Sequence, residues 1–568
     1  MNPIEQAAAA FPAFGLAVAH HEAGDLAAAR AAYLQVMDQP QLTGLCLHQL
    51  GVLAAARGDH RVAADLFSRT LAIAPLPMVY ANLHAAQDLI GDRAGVTATL
   101  IDLGCFLQLR KLHADAVPVY RKVLERDPLS YPAYANLGNA FAWLGDLPQA
   151  AQHLSRAVVL WSRVFPEASG LPHDLSQLIN SLASKNDPLP DIPVGLPHGP
   201  IQKIEELLTT LGKVFGELEM PDAALHCYRQ SVALSPGYAL GHWNLAAELL
   251  CRMDFEAGWA AYEWRWRWPE FPEAHRALGL PVWQGEPLAG KRIYVWGEQG
   301  LGDSMQFAPL AAQLPTLGAE VILEVPASLV RLLAHSFPGL RVVPRPDSPE
   351  RLSFDERLDY VVPLMSLPLR LGLRPQSLPL ARAYLRPPVG EAPAGLQQPG
   401  TGGRPRVGLV WAGQPRHTND HRRSLPASAL TELLRVDTVN WFSLTVGARQ
   451  ADIAGRSDIV DLAPALGDFA DTARAVERLD LVITVDTAVA HLAGAMGRPV
   501  WLMLPKVGDW RWGRIGNTTP WYPATLIFRQ SRLGDWSDVL EQVAQALRQG
   551  QANADASAAV SPDSPVLS

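Results

Sequence analysis

Two short stretches pair chemically useful side chains with glycine or other small residues. In GEQGLGDSMQFAP (Gly297–Pro309) a glycine-rich turn leads into a helix and sets Asp303 at its start. Glycines there let the backbone approach a ligand. The turn is not the GxGxxG dinucleotide fingerprint, and it lacks the Lys-Ser/Thr of a phosphate-binding P-loop. An aspartate in this place also serves as a plain helix cap, and the helix dipole is expected to hold it ionised, with a depressed pKa. Further on, VDTAVAHLAGAMGRPVW (Val485–Trp501) runs from a strand end at Asp486 into a helix opened by Thr487. The free N–H groups and dipole of such a helix start suit a pyrophosphate. His491 follows four residues after Thr487, on the same helical face. A capped helix with a packed histidine is the alternative.

The elements that must position these stretches have the period of buried parallel strands alternating with helices. RIYVWG (Arg292–Gly297), EVILEVP (Glu320–Pro326), LRVVP (Leu340–Pro344) and LDYVVPL (Leu358–Leu364) form a first series. RVGLVWAG (Arg406–Gly413), NWFSLTVG (Asn440–Gly447), DIVDL (Asp458–Leu462), LDLVITVD (Leu479–Asp486) and PVWLMLP (Pro499–Pro505) form a second. Between them lies a Pro- and Gly-rich linker, 387–405. The pattern predicts two Rossmann-like lobes, 285–386 and 406–548, in the GT-B arrangement, with a disordered tail at 549–568.

The first half repeats itself. Leu47–Pro75 aligns with Asn136–Leu160, and the small residues Ala29 and Ala63, Ala116 and Ala150, and Ala224 and Gly258 form pairs with a common period of about 34 residues. This resembles the tetratricopeptide repeat, an α-solenoid of helix pairs, expected over 1–161 and 201–275 with a Pro-rich, loop-like insertion at 162–200. Gly51 and Gly138 let paired helices approach, while Phe67, Tyr120, Leu154, Tyr228 and Tyr262 are expected to fill gaps between successive hairpins. Gly24, Gly58, Gly91 and Gly145, each followed by Asp, mark turns. Asn82, Asn136 and Asn244 each precede a repeat leucine. An amide offers both donor and acceptor, so such a ladder can hold an extended peptide backbone; helix-to-helix capping within the array is the other reading.

Composition narrows the function classes. The 568 residues carry a net charge of −8, 48% hydrophobic and 18% charged residues, which argues against a strongly basic nucleic-acid binder and against global disorder. Four cysteines without CxxC spacing point to neither a disulfide scaffold nor a zinc site, and suggest a reducing compartment. The N-terminus lacks a basic start and has Glu5 ahead of its apolar run, so a cytoplasmic protein without a membrane span is expected.

The pair GLGDSMQFAPL and DTAVAHLAGAMGRPVW resembles the heptosyltransferases of lipopolysaccharide synthesis, glycosyltransferase family 9, and the layout resembles bacterial tetratricopeptide proteins carrying such a domain, including flagellin glycosyltransferases. The resemblance implies that Asp303 is the base for the acceptor hydroxyl. It implies donor binding by Gly300, Gly302, Gly413, Asp486, Thr487, Ala488 and His491, and by Arg423 where the family has lysine. That substitution keeps the charge but replaces a point ammonium with a planar fork. No Asp-x-Asp pair occurs, so no metal and no cofactor beyond a nucleotide-sugar substrate is expected, and a single displacement would invert the anomeric centre. The expected partner is an acceptor protein held by the repeats through Asn82, Asn136 and Asn244, flagellin being one candidate. Two alternatives stay open: a transferase acting on a lipid-linked glycan, and a non-catalytic adaptor. The aromatic segment Gly508–Pro523 fits either a donor cleft or core packing.

Overall fold

The computed structural model describes residues 3–164, 171–185, 203–271, 279–346, 357–378, 380, 383–397, 403–415 and 419–550. They form two compact units that divide between Gly241 and His242.

Every described regular element of the first unit is a helix, arranged as an antiparallel α-solenoid of the tetratricopeptide kind. Its hairpins are held by glycine notches. A Cβ added at Gly51 would lie 2.6 Å from Phe67, one at Gly138 2.6 Å from Leu154, and one at Gly212 2.6 Å from Tyr228. Gly104 faces Tyr120 in the same way. Phe67, Tyr120, Leu154 and Tyr228 therefore seat within their own helix pairs, not only between successive pairs as the sequence suggested. The Gly-Asp turns work as a unit: Gly24, Gly58, Gly91 and Gly145 take φ from 74° to 84°, and Asp25 and Asp92 accept from the N–H groups of Ala28 and Gly95 at 3.0 and 2.9 Å. Part of the expected loop-like insertion is helical. The helix Leu147–Val164 runs into it, and His173–Ala183 forms another with Leu175, Ile179 and Ala183 buried at i, i+4 spacing. Its proline-rich remainder, 186–200, and the tail from 551 lie outside the described residues.

The second unit contains two all-parallel sheets. In the first lobe β1 (Arg292–Trp296), β2 (Glu320–Val325), β3 (Arg341–Pro344) and β4 (Tyr360–Pro363) lie in the order β3-β2-β1-β4. In the second, β5 (Arg406–Val410), β6 (Asn440–Ser443), β7 (Ile459–Asp461), β8 (Leu481–Val485), β9 (Val500–Leu504) and β10 (Thr525–Arg529) lie in the order β10-β9-β8-β5-β6-β7. The sequence reading missed β10, although TLIFR is a β-branched and aromatic run of strand length. The linker is anchored at Leu396, 2% exposed within the domain core, while Val389 stays 99% exposed. The helix Phe255–Tyr262, which continues the repeat pattern, shares that core with the first lobe. Trp259 meets Phe307 edge-on at 5.6 Å, and Phe255 stacks on Trp521 at 5.7 Å.

Candidate functional site

Each sheet has a point where strand order reverses, and open α/β sheets bind ligands beyond the carboxyl ends of the strands there. In the first lobe it lies between β1 and β4, and the loop leaving β1 is Gly297–Gly300. In the second it lies between β5 and β8, whose following loops carry Gly413 and Asp486. The two stretches singled out in the sequence thus emerge at the two switch points.

Asp303 sits in the first turn of the helix Leu301–Ala311. Its Oδ2 accepts from the Gly300 N–H at 2.7 Å, so the cap reading holds for one oxygen. Its Oδ1 accepts from the Arg511 guanidinium, which comes from the second lobe. Arg511 also donates to Gln306 Oε1 at 2.7 Å and to Asp509 Oδ1 at 2.8 Å, and lies over the Trp510 ring at 4.2 Å. The expectation of a depressed Asp303 pKa is overturned. Burial raises it, and this outweighs the opposing pull of Arg511 and of the Gly300 N–H. Gly302, one turn position earlier, makes the close approach between lobes: a Cβ there would lie 2.5 Å from His491 Cδ2.

His491 lies on the helix Ala488–Ala495, 6% exposed, with Nδ1 paired to the Tyr522 hydroxyl at 2.9 Å and its ring 5.1 Å from Trp512. Burial, aided by Arg511, pushes its pKa down to about 3, so it is neutral near pH 7 and brings no positive charge to a phosphate. Thr487 is the N-cap residue of this helix, but its hydroxyl pairs with Thr484 Oγ1 at 3.0 Å, leaving the first N–H groups, beginning at Ala488, without a side-chain cap. Asp486 has its pKa raised to about 6, first by burial and then by Asp509, against the opposing influence of the Trp512 indole, Arg423 and Arg511. Across the switch point the Gly413 N–H donates to Ser424 Oγ at 3.0 Å, and the Arg423 guanidinium lies so close that a Cβ on Gly413 would meet its Nη2 at 2.5 Å. Arg423 pairs with Asp420 at 3.5 Å. Residues 416–418 of this loop lie outside the described residues.

Residues 446–503, which include Asp486, Thr487, Ala488 and His491, match glycosyltransferase family 9 (heptosyltransferase). Over that segment the second lobe is similar to a family 9 glycosyltransferase. Across nearly its whole length the chain is also similar to Protein FlbA of Caulobacter vibrioides, at 26% identity over 570 residues, covering 92% of this chain and 87% of that protein. Among solved structures it is similar to the family 9 glycosyl transferase of Veillonella parvula (14% identity, TM-score 0.35), over 46% of this chain and 97% of that one. It is similar as well to the E. coli heptosyltransferase WaaC with ADP-2-deoxy-2-fluoro heptose (14% identity, TM-score 0.30), over 46% of this chain and 99% of that one.

Between the two lobes the structure groups Asp303, Gly302 and His491 around Arg511, with Asp486 and Arg423 within electrostatic reach. Sequence reasoning missed Arg511, Asp509, Gln306 and Tyr522. The signal available is GDWRWG, a charged pair set among tryptophans, which in sequence fits either a donor cleft or core packing. Sequence reasoning also missed the loop's support. Arg265 and Glu298, both fully buried, pair through two hydrogen bonds of 2.9 and 2.7 Å, and Gln299, at φ 60°, donates to the Tyr262 hydroxyl at 2.7 Å. The three asparagines divide between the compact units. In the first, the Asn82 amide meets His48 Nε2 at 2.9 Å and the Asn136 amide donates to Cys105 Sγ at 3.4 Å, both contacts between helices of the array. Asn244 is half-buried in the second.

Proposed function

We propose that the chain transfers a sugar from a nucleotide-diphosphate donor to a hydroxyl of an acceptor protein engaged by the repeats. The observation that supports this most is the packing of the helix that carries Asp303 against the helix that begins uncapped after Thr487, through Gly302 and His491, each helix leaving the switch point of its own sheet. In the proposed reaction an Asp303 oxygen takes the proton of the acceptor hydroxyl as that oxygen bonds to the anomeric carbon. The bond from that carbon to the diphosphate breaks, its electron pair leaving with the phosphate oxygen, so one displacement inverts the centre. The N–H groups of the helix beginning at Ala488 and the Arg423 guanidinium stabilise the departing diphosphate, without a metal in this scheme. Gly300, Gly302 and Gly413 let Asp303, His491 and Arg423 respectively pack close to the backbone at the cleft, and Asp486 borders it. Asn82, Asn136 and Asn244 are the proposed acceptor contacts, flagellin being the candidate that the family resemblance offers.

Intact-mass analysis of candidate acceptor proteins, incubated with this chain and a panel of nucleotide sugars in chelator, tests the reading. A gain of one sugar mass on a protein is the expected result. A gain confined to lipid-linked glycan, or one that requires added magnesium or manganese, would overturn the acceptor class or the metal-free scheme respectively.

A further inference from the structure

Asp303 and Arg511 form one cross-lobe unit in which each guanidinium nitrogen has a side-chain acceptor. Nη2 donates to Asp303 Oδ1 and Nε to Gln306 Oε1, both on the first-lobe helix Leu301–Ala311, while Nη1 donates to Asp509 Oδ1 in the second lobe. The Arg511 side chain is 8% exposed and that of Asp303 17%, whereas Asp509 is 38% exposed. The cluster therefore reaches solvent at its two carboxylates and is closed behind the arginine by Trp510 and Gln306. Such a planar fork fixes several acceptors in one geometry, which a lysine cannot reproduce.

A base in this place faces a conflict. Burial favours the protonated carboxyl, and a carboxyl that already holds its proton cannot take one from an acceptor. The groups facing Asp303 are Arg511, which opposes that effect, and Asp509, which reinforces it. The nearby phenols of Tyr262 and Tyr522 are buried and stay protonated, and His491, packed on Gly302, is neutral. Arg511 is thus the cation facing Asp303.

We propose that Arg511 is the positioning residue for Asp303, holding its carboxylate ionised and aimed between the lobes so that it can accept the proton of the incoming hydroxyl. This rests on the glycosyltransferase reading above for its role in turnover, but the pairing itself can be measured without substrate. The opposite influences of Arg511 and Asp509 give the inference a signed test. Arg511→Gln removes the cation and should move protonation of Asp303 to higher pH. Asp509→Asn removes the neighbouring anion, leaves Arg511 in place, and should move it to lower pH. The surface position of Asp509 makes the second variant the safer one to fold.

The experiment is an infrared pH titration of the protonated-carboxyl band that Asp303→Asn abolishes, in the full chain and in both variants, together with the pH profile of kcat. Opposite displacements of the band are expected, with the acid limb of kcat following each. Arg511→Gln should lose about 10²-fold or more in kcat at pH 7, and Arg511→Lys should recover part of it. Nucleotide-diphosphate affinity should change little in Asp509→Asn. Displacements in the same direction, no displacement in Asp509→Asn, or an acid limb that ignores the band would overturn the inference. An absence of sugar transfer by the unmodified chain would instead overturn the glycosyltransferase reading, while the titration still decides whether Arg511 controls the charge of Asp303.

Discussion

Gly302→Ala tests the closest approach between the two lobes. The new methyl carbon would stand 2.5 Å from His491 Cδ2, 3.1 Å from Nε2 and 3.3 Å from Cγ, against an optimum of about 3.5–4.0 Å for carbon pairs. Relief requires a displacement on the order of 1 Å. The imidazole cannot supply it alone, because Nδ1 is paired with Tyr522 and the ring packs against Trp512. Tyr522 is itself wedged against the helix at Gly494, where a Cβ would meet its ring at 2.5 Å. The lobes must therefore part. Overpacking of this kind costs about 1–3 kcal/mol, which at about 2–4 °C per kcal/mol for large domains lowers Tm by about 2–12 °C. His491→Ala also destabilises, by removing one of the two partners of the Tyr522 hydroxyl, Tyr384 being the other, but it opens the space that the methyl group of Gly302→Ala needs. Thermal melts of both single variants and the double variant form a cycle. The double variant should be more stable than the sum of the two losses predicts, by about 0.5–3 kcal/mol. Additivity within about 0.5 kcal/mol would refute the steric argument.

Two further predictions concern buried charge. Because the folded Asp486 carboxyl binds its proton up to about pH 6 against 3.8 ordinarily, the folded state holds more protons than the unfolded one between those values, and stability falls as pH rises through them. Asp486→Asn should raise Tm at pH 7–8 by an amount equivalent to at most about 3 kcal/mol, and the advantage should vanish near pH 4; an equal effect at both pH values would contradict the assignment. Arg265→Met leaves Glu298 buried with the Met365 N–H as its remaining partner at 3.0 Å, which should cost about 3–5 kcal/mol, whereas adding Glu298→Leu should restore much of it. Melts showing equal loss in the single and double variants would refute this.

Much of the architecture was written locally. The glycine notches and the Gly-Asp turns depend on residues 16 apart or adjacent, such as Gly51 with Phe67 and Gly24 with Asp25, so periodicity exposes them. The parallel strands are continuous apolar runs because both faces of each sheet are covered. The switch-point loops follow from strand ends, which is why the Asp303 and Asp486 stretches could be placed from residue pattern alone. Where local signals were weak the reading slipped. The helix His173–Ala183 was lost beside a proline-rich stretch, and β10 beside a tryptophan-rich one.

The ionic state of the site was decided only by tertiary structure. The position of Asp303 at a helix start implied a carboxylate held ionised by the dipole, yet burial reverses the sign, and burial is a property of everything packed around the helix. Residue pattern left His491 either a donor contact or a packed histidine, and its neutral charge state comes only from burial among Trp512, Tyr522 and Gly302. Arg511 stands 208 residues from Asp303 and 205 from Gln306 along the chain. Residue type and spacing specify helices, turns and strands because those depend on neighbours within a few positions. The charge of a buried carboxyl depends instead on which distant cation the closed lobes bring to it and how much water they exclude.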